Sequence, residues 1–521
     1  MFYAAKLTII LLSLPYLQIY KGMAGKMQAL AKDTAIYGLS SILGKCFNFL
    51  LTPLFTYAIT DNRALYGAYV NLYAWTGLIL VILTFGMETT MFRFANKEGN
   101  DPKRVYSTSW FFVAMLSIVF AALCWAFTDP ICAALGYSDH TEYIRTMSLV
   151  VAIDSVQCVM FSYLRFLKRP VKFASMKLFN IFLSLILNVI MVKTIYEPVV
   201  AGVKSVSWFD PDNIISWAFY INLLCSSIMF PFFVPEFRHL GAGFDRRLMR
   251  EMLSYSWPIV ILGLAGILNL HADKICYTWI VPGQAGEEQL AEYGGCVKVA
   301  VIMTMLTQAF RFAYEPMVFS AARDDKEGQK KMYADAMKYF IIFALLAFLA
   351  VMFYMDILKF IVGGQYRAGL KVIPIVMMGE IFMGIYFNLS FWYKLTDQTW
   401  WGAVFSGIGC AVLLAINFLF VPKIGYMACA WGGFAAFAIC MLLSYFTGQK
   451  HYPIAYPLKE IFKYFLLAGI LYAAYVLIDR TALAVWLKLI INTVLICIYL
   501  AYILKKDLPP KSLPVIGRYF R

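Results

Sequence analysis

The segment from Tyr106 to Thr128, YSTSWFFVAMLSIVFAALCWAFT, contains 23 residues and no charged side chain. A helix of about 20 apolar residues crosses the hydrocarbon core of a bilayer, so this segment predicts a membrane span. About fourteen such runs follow one another along the chain. They cover approximately residues 34–58, 68–94, 106–128, 141–165, 173–196, 213–235, 251–280, 294–320, 336–358, 369–393, 400–421, 426–447, 459–478 and 482–504. The sequence therefore predicts an all-α polytopic membrane protein.

The composition excludes a soluble protein. Apolar residues make up 62% of the 521 residues and charged residues 14%, whereas ordinary globular proteins have roughly 45–50% and 25%. The net charge of +15 comes from basic residues in short loops between apolar runs, which indicates membrane orientation rather than nucleic-acid binding. The cysteines form no C-x-x-C pair and most lie in apolar runs, so neither a disulfide scaffold nor a metal site is expected.

Lysine and arginine concentrate in alternate loops, which predicts that both termini are cytoplasmic. The basic loops include Lys97, Lys103 and Arg104, Arg165 to Lys172, Arg238 to Arg250, Arg323 to Lys331, and the tail after Lys505. The apolar segment Leu7–Tyr20 is short for a span and is broken by Pro15. We interpret residues 1–26 as an N-terminal extension, with an interfacial helix as the alternative.

An internal repeat divides the spans into two halves. Identical residues recur at a spacing of 227 or 221 positions: Tyr66-Gly67 and Tyr293-Gly294, Glu88 and Glu315, and Asn48 and Asn269. The order of the spans matches, so we expect two six-helix lobes related by a pseudo-two-fold axis along the membrane normal. The predicted divisions are an N-lobe of spans 1–6 at 27–236, a C-lobe of spans 7–12 at 237–450, and a helix pair with a basic tail at 451–521.

Polar residues recur every three or four positions along the first span: Thr34, Gly38, Ser41, Lys45, Asn48 and Thr52. On a helix of 3.6 residues per turn they form one stripe. A lysine within this stripe predicts a wet cavity wall, at which Lys45 and Asn48 would bind substrate. The alternative is a helix–helix contact at Gly38 and Ser41, with Lys45 snorkelling to the aqueous phase.

The eighth span has a similar pattern, in which Gln308 and Arg311 are candidate substrate-binding residues. Arginine near bilayer depth can bind phosphate through charge-assisted hydrogen bonds. Alternatively, Arg311 and Glu315 neutralise each other, because they are four residues apart on a helix. Lys45 corresponds to Gly266 and Arg311 to Thr84 in the repeat, so few cavity cations are expected.

Four residues are candidates for ion coupling or gating: Glu88, Asn269, Asp273 and Glu315. Asn269 and Asp273 share one face of the seventh span. The alternative for Asp273 and Lys274 is an interfacial position in water. Single polar residues in other spans, among them Asp154, Asn180 and Glu380, are predicted to hydrogen-bond between helices rather than to form a site.

Three segments resemble the polysaccharide-biosynthesis (oligosaccharide flippase) family: AKDTAIYGLSSILG at 31–44, Tyr66-Gly67, and FGMETTMFRFA at Phe85–Ala95. That family includes O-antigen flippases and belongs to the multidrug/oligosaccharidyl-lipid/polysaccharide exporter superfamily. The resemblance implies a two-lobed helical bundle in the bacterial inner membrane, without enzymatic activity or a cofactor. It also implies that cations in the cavity bind the substrate. The candidates for this role are Lys45, Arg311 and, in addition, Arg93.

The resemblance further implies that the protein moves an undecaprenyl-diphosphate-linked oligosaccharide from the cytoplasmic to the periplasmic leaflet, for O-antigen, capsule or exopolysaccharide synthesis. Its partners would be this lipid, membrane lipids, and a polysaccharide polymerase and glycosyltransferases, but not nucleic acid. An ion-coupled multidrug or toxin exporter of the same superfamily is the alternative, with Glu88, Asp154 and Glu315 as its carboxylates. A membrane enzyme is disfavoured, because the acidic pairs lie in loops beside basic residues or on the outer side.

Overall fold

The structure is a computed structural model that describes residues 38–320, 326–396 and 398–507; the side chains of residues 313, 315–320 and 326 lie outside this description. Within these ranges the chain is helical and forms no β-strand. Fourteen helices in this part are long and apolar enough to cross a membrane. We label them α1 Gly38–Ala58, α2 Ala64–Ala95, α3 Pro102–Ala126, α4 Thr141–Phe166, α5 Pro170–Val200, α6 Pro211–Ala242, α7 Arg246–Ile280, α8 Gln284–Phe312, α9 Glu327–Phe353, α10 Gly364–Leu395, α11 Trp400–Ile424, α12 Met427–His451, α13 Leu458–Asp479 and α14 Val485–Lys506.

The predicted number of spans is confirmed, but several helices extend beyond the predicted boundaries. The helix α8 begins at Gln284 rather than near residue 294, and α9 begins at Glu327 rather than near residue 336. The added turns are rich in charged residues, and an apolar run detects only the part of a helix that crosses hydrocarbon. The predicted extension at 1–26 and the residue Thr34 lie outside the described residues.

The spans form two six-helix lobes, as predicted: the N-lobe contains α1–α6 and the C-lobe contains α7–α12. In the N-lobe, α4 packs against α2, α3 and α6, and in the C-lobe α12 packs against α10 and α11. Contacts between the lobes centre on α2, which packs against both α7 and α8. The predicted division points near residues 236 and 450 stay predictions.

Successive spans run in opposite directions, so their connections lie alternately at two ends of the bundle. We call the end that holds the connections after α2, α4, α6, α8, α10 and α12 the basic end, because the loop lysines and arginines concentrate there. The other end is called the opposite end. At the basic end Asp245 caps α7, with its carboxylate accepting hydrogen bonds from the backbone N–H groups of Arg247 and Leu248 at 2.9 and 3.0 Å. These bonds stabilise the charged form and lower the pKa of the Asp245 carboxyl.

A glycine from each half of the repeat lies where α2 crosses α8. A Cβ atom at Gly67 would lie 2.0 Å from the carbonyl oxygen of Glu287, and one at Gly294 would lie 2.6 Å from the methyl groups of Val70. Only glycine allows backbones to approach this closely. The glycine of each repeated Tyr-Gly pair, Gly67 on α2 and Gly294 on α8, therefore allows the two lobes to pack closely at this crossing.

The helix α2 is interrupted after Thr84, where Phe85 and Gly86 both adopt left-handed backbone conformations, with φ of 48° and 66°. The chain resumes as a short helix, Met87–Ala95, which packs against α7. The break redirects the last part of α2, so side chains beyond it cannot be placed by extending the helical periodicity of Ala64–Thr84.

The C-terminal pair α13 and α14 packs against α9 of the C-lobe. Lys338 of α9 forms ion pairs with Glu460, at 2.5 Å, and with Asp507. Asn492 of α14 donates a hydrogen bond to the carbonyl of Phe353 at 2.8 Å. Hydrophobicity alone keeps α13 and α14 in the lipid. The ion pairs and the hydrogen bond therefore determine where this helix pair packs against α9.

Candidate functional site

A cavity of about 640 Å³ lies between the two lobes, at the middle depth of the bundle. The N-lobe lines it with residues from α1, α2, α4, α5 and α6, and the C-lobe with residues from α7, α8, α10, α11 and α12. The helices α1 and α8 face each other across it and also meet near the basic end, where Gly38 packs against the ring of Phe312. The cavity volume falls within the range of roughly 300–1,000 Å³ typical of small-molecule sites.

Four lysines line the cavity: Lys45 and Lys177 from the N-lobe, and Lys274 and Lys298 from the C-lobe. The expectation of few cavity cations is therefore wrong. It rested only on the stripes of spans 1 and 8, which do not include Lys177 and Lys298. Both are charged residues inside apolar runs, a pattern that marks a functional position by default.

The four lysines differ in their partners. Lys274 forms an ion pair with Asp273 at 2.9 Å, and the ammonium of Lys177 lies 4.2 Å from the ring centroid of Phe161. Among the described residues, Lys45 and Lys298 form no ion pair. The Lys298 side chain is exposed although it lies halfway along α8, because it faces the cavity. Lys45, Lys274 and Lys298 line the same cavity, so their positive charges repel one another.

Three carboxylates also line the cavity, and each accepts a hydrogen bond from a hydroxyl group. The distances are 2.8 Å from Ser226 to Asp154, 2.6 Å from Tyr293 to Asp273 and 3.0 Å from Thr304 to Glu380. Glu380 also attracts Lys45 electrostatically. The expectation that Asp154 and Glu380 only join helices is incomplete, since both bond to a neighbouring helix and also face the cavity.

Four of the predicted site residues line the cavity: Lys45, Asn48, Asn269 and Asp273. Asn48 is exposed to it. Asn269 is buried and donates a hydrogen bond to the carbonyl of Ser406 at 2.7 Å, which connects α7 to α11. Asp273 is also buried, so the interfacial alternative for this residue is wrong.

The structure does not bring Glu88 or Arg93 to the cavity, because both follow the break in α2. Arg93 lies over the ring of Tyr255 of α7, 4.1 Å from its centroid. Glu88 contacts the thiol of Cys158 and lies 3.4 Å from the guanidinium of Arg165. Both residues therefore stand near the basic end.

Gln308 and Arg311 lie on α8, between the cavity and the basic end. Arg311 lines a small aromatic recess, with its guanidinium 5.4 Å from the ring centroid of Phe387. The side-chain oxygen of Gln308 is buried and accepts no hydrogen bond within the described part of the chain. The side chain of Glu315 lies outside the described residues, so its predicted pairing with Arg311 stays a prediction.

At the opposite end, a network of charged residues joins the two lobes. The guanidinium of Arg63, between α1 and α2, donates to Glu288 at 2.7 Å and to Glu292 at 2.6 Å, both on α8. It also donates to the carbonyl of Gln365 at 3.1 Å. Tyr426 donates a further hydrogen bond to Glu292 at 3.1 Å. The sequence pattern did not indicate Arg63 as a site residue, because a charged residue in a loop is ordinary.

Replacing Arg63 with alanine is expected to loosen the opposite end, because Glu288 and Glu292 would lose the cation that joins them to the N-lobe. Hydrogen–deuterium exchange should become faster in the segments around residues 56–64 and 284–292. Arg480→Ala, which removes an exposed arginine at the same end, is the control and should leave exchange unchanged. Unaltered exchange in Arg63→Ala would show that the network does not hold this end closed.

Within the described ranges, no group of three or more His, Cys, Asp and Glu residues could hold a metal ion. All eleven cysteines are free. The cavity thus offers lysines, hydrogen-bonded carboxylates, amides and tyrosines, which can bind a polar ligand that carries negative charge.

Solved structures of other proteins share the fold of this chain. Solved structures similar to this one include "Lipid II flippase MurJ, inward closed conformation", with a TM-score of 0.69 and 14% identity, over 90% of this chain and 98% of that chain. A second similar structure is an inward-facing multidrug resistance MATE family transporter of the MOP superfamily, with a TM-score of 0.59 and 11% identity, over 85% of this chain and 97% of that chain. A third is the MATE multidrug transporter DinF-BH, with a TM-score of 0.58 and 11% identity, over 82% of this chain and 97% of that chain. A search of curated protein sequences found no significant match.

The family resemblance seen in the sequence is confirmed. The family model described as "Polysaccharide biosynthesis protein" matches residues 30–321, which is more than half of the chain. The matched region includes the N-lobe and the cavity-lining parts of α7 and α8. The protein therefore belongs to the polysaccharide biosynthesis protein family.

Proposed function

We propose that the protein translocates an undecaprenyl-diphosphate-linked oligosaccharide from the cytoplasmic to the periplasmic leaflet of the bacterial inner membrane, for the synthesis of O-antigen, capsule or exopolysaccharide. In this proposal both termini and the basic end are cytoplasmic, and the protein acts without a cofactor or covalent chemistry. A polysaccharide polymerase and glycosyltransferases would use or supply the same lipid.

The observation that carries this proposal is that Lys45 and Lys298 line one cavity from opposite lobes. Two lysines that form no ion pair in the described part of the chain and line the same cavity favour binding of a polyanion between them. A diphosphate supplies several acceptor oxygens for charge-assisted hydrogen bonds. Since the two lysines belong to different lobes, a bound diphosphate would also pull the lobes together.

The cavity size and the network at the opposite end are consistent with alternating access. A cavity of about 640 Å³ can hold a diphosphate and part of a glycan, but not a long polyprenyl chain as well, so the chain would stay in lipid. Release to the periplasm would require separation of Arg63 from Glu288 and Glu292. We propose that the lobes at 27–236 and 237–450 move against each other, and that the pair at 451–521 moves with the C-lobe through Lys338.

A multidrug exporter is the second candidate, because Asp154 and Glu380 face the cavity and could attract an organic cation. Four lysines in the same cavity oppose this, since they would repel such a substrate. The balance of cavity charge therefore favours an anionic head group.

A binding measurement tests the proposal against this second candidate. The purified protein in detergent is titrated with undecaprenyl diphosphate, undecaprenol and tetraphenylphosphonium, and the melting temperature is followed. A ligand that binds the folded state raises the melting temperature. We expect undecaprenyl diphosphate to stabilise the protein more strongly than undecaprenol does, and tetraphenylphosphonium to have no effect. Stabilisation by the cation alone would support the exporter and overturn the proposal.

A further inference from the structure

The two walls of the cavity differ in chemistry. The C-lobe wall carries five ionisable residues, together with many apolar residues and the rings of Tyr293, Phe434 and Phe437; the ionisable residues are His271, Asp273, Lys274, Lys298 and Glu380. The N-lobe wall holds three charged residues, namely Lys45, Lys177 and Asp154, and is the richer of the two walls in amides. Its amides belong to Asn48, Asn180 and Asn222, compared with Asn269 on the C-lobe wall, and they accompany the rings of Tyr69 and Tyr73.

The two tyrosine rings are held in place by their neighbours. Tyr69 stacks on Phe219, with 2° between the planes and 6.1 Å between centroids, and on Tyr66 at 5.7 Å. Its centroid lies 4.5 Å from that of Tyr73. Asn222 donates a hydrogen bond to the hydroxyl of Tyr73 at 2.8 Å. Both rings are partly exposed and face the cavity, so they form a rigid aromatic surface.

The amides beside this surface are available to a ligand. Asn48 of α1 and Asn180 of α5 form no side-chain hydrogen bond within the described part of the chain. An amide both donates and accepts hydrogen bonds, whereas a lysine only donates. A hydroxyl group also does both, so these amides match a ligand with many hydroxyl groups better than they match a phosphate.

We infer that Tyr69 and Tyr73, with Asn48 and Asn180, form the glycan subsite of the cavity, separate from the diphosphate subsite at Lys45 and Lys298. The C–H bonds on one face of a pyranose ring carry partial positive charge, and the face of an aromatic ring is negative, so a sugar stacks on the tyrosines. Its hydroxyl groups bond to the two amides. The inference rests on the proposed function and assigns the glycan to the N-lobe wall.

The test compares two lipids that differ only in the glycan. The probes are undecaprenyl diphosphate and the undecaprenyl-diphosphate-linked oligosaccharides extracted from cells that encode the protein. Binding to the purified protein is measured by native mass spectrometry for the wild type, Tyr69→Leu, Asn180→Leu and Lys298→Ala. Tyr220→Leu is the control, since this tyrosine of α6 is 38% exposed and lies outside the cavity lining.

We expect Tyr69→Leu and Asn180→Leu to weaken binding of the glycan-bearing lipid by about tenfold and to leave binding of undecaprenyl diphosphate unchanged. Lys298→Ala should weaken both. Asn180→Leu keeps the test valid if Tyr69→Leu does not fold, because Asn180 bonds to no described side chain. The inference is wrong if the two subsite variants bind the glycan-bearing lipid as the wild type does, or lose both lipids equally. Failure of the wild type to bind either lipid would instead overturn the proposed function.

Discussion

Replacing Lys298 with alanine is expected to reduce transport of a lipid-linked oligosaccharide by about tenfold to a hundredfold. A hydrogen bond to a charged group contributes about 1.5–3 kcal/mol, and each 1.4 kcal/mol corresponds to about tenfold in binding. Lys45→Ala should have a similar but smaller effect. In the wild type Glu380 attracts Lys45 and offsets part of its positive charge, so the variant loses less of the charge that attracts the substrate. Transport is measured in proteoliposomes with a fluorescent lipid-linked oligosaccharide, together with the amount of folded protein.

Further variants separate charge from packing. Lys45→Arg should retain more transport than Lys45→Gln, because substrate binding in a hydrated cavity depends more on the positive charge of the side chain than on its shape. If both lysines hold one diphosphate, the losses in Lys45→Ala and Lys298→Ala should not add in the double variant. Lys459→Ala, which removes an exposed lysine at the start of α13, is the control. Normal transport by both single alanine variants at normal abundance would refute the cationic-cavity hypothesis, and Lys45 would then be a snorkelling residue.

Replacing Gly67 with alanine is expected to destabilise the folded protein strongly, although the change adds only one methyl group. The new Cβ would lie 2.0 Å from the backbone oxygen of Glu287, so α2 and α8 would have to separate. Overpacking costs about 1–3 kcal/mol and sometimes more, and a clash with backbone leaves no side chain to rotate away. The melting temperature and the monodisperse fraction after detergent extraction measure the effect.

Gly266→Ala is the matched control, because a Cβ at this helical glycine of α7 would meet no atom within 4 Å. Alanine is the better helix former, so this control should melt at the same or a higher temperature. If Gly67→Ala melts like the wild type, the close contact between α2 and α8 does not contribute to stability.

Most of the fold could be predicted because each span is encoded locally. A run such as 106–128 has to be helical and to cross the membrane whatever surrounds it, since backbone groups in hydrocarbon must bond within their own segment. The repeated Tyr66-Gly67 and Tyr293-Gly294 also indicated two lobes before any contact was known. The helix ends were less predictable, because turns outside the hydrocarbon, such as those after Gln284, carry no apolar signal.

The candidate site could be predicted only in part. The polar stripe on the first span indicated Lys45 and Asn48, which the structure places at the cavity. Glu88 and Arg93, which were also predicted as site residues, lie away from it. The difference is the break at Phe85-Gly86, which ends the helical periodicity of α2 and redirects the chain. Lys177 lies in a polar stripe of the fifth span with Asn180 and Ser184, so the sequence carried a signal for this lysine, whereas Lys298 lies outside the polar stripe of the eighth span.

The amino-acid sequence alone therefore specifies the class of protein, the number of spans and the family, because hydrophobicity and short motifs are properties of contiguous residues. Only the tertiary structure reveals that Lys45 and Lys298 face one cavity from opposite lobes, and that Tyr69, Tyr73 and Asn180 form a wall beside them. Which side of a helix faces a cavity depends on its rotation and on its neighbours. That rotation is set by contacts between distant segments, such as Gly67 against Glu287 and Gly294 against Val70, which no single span encodes.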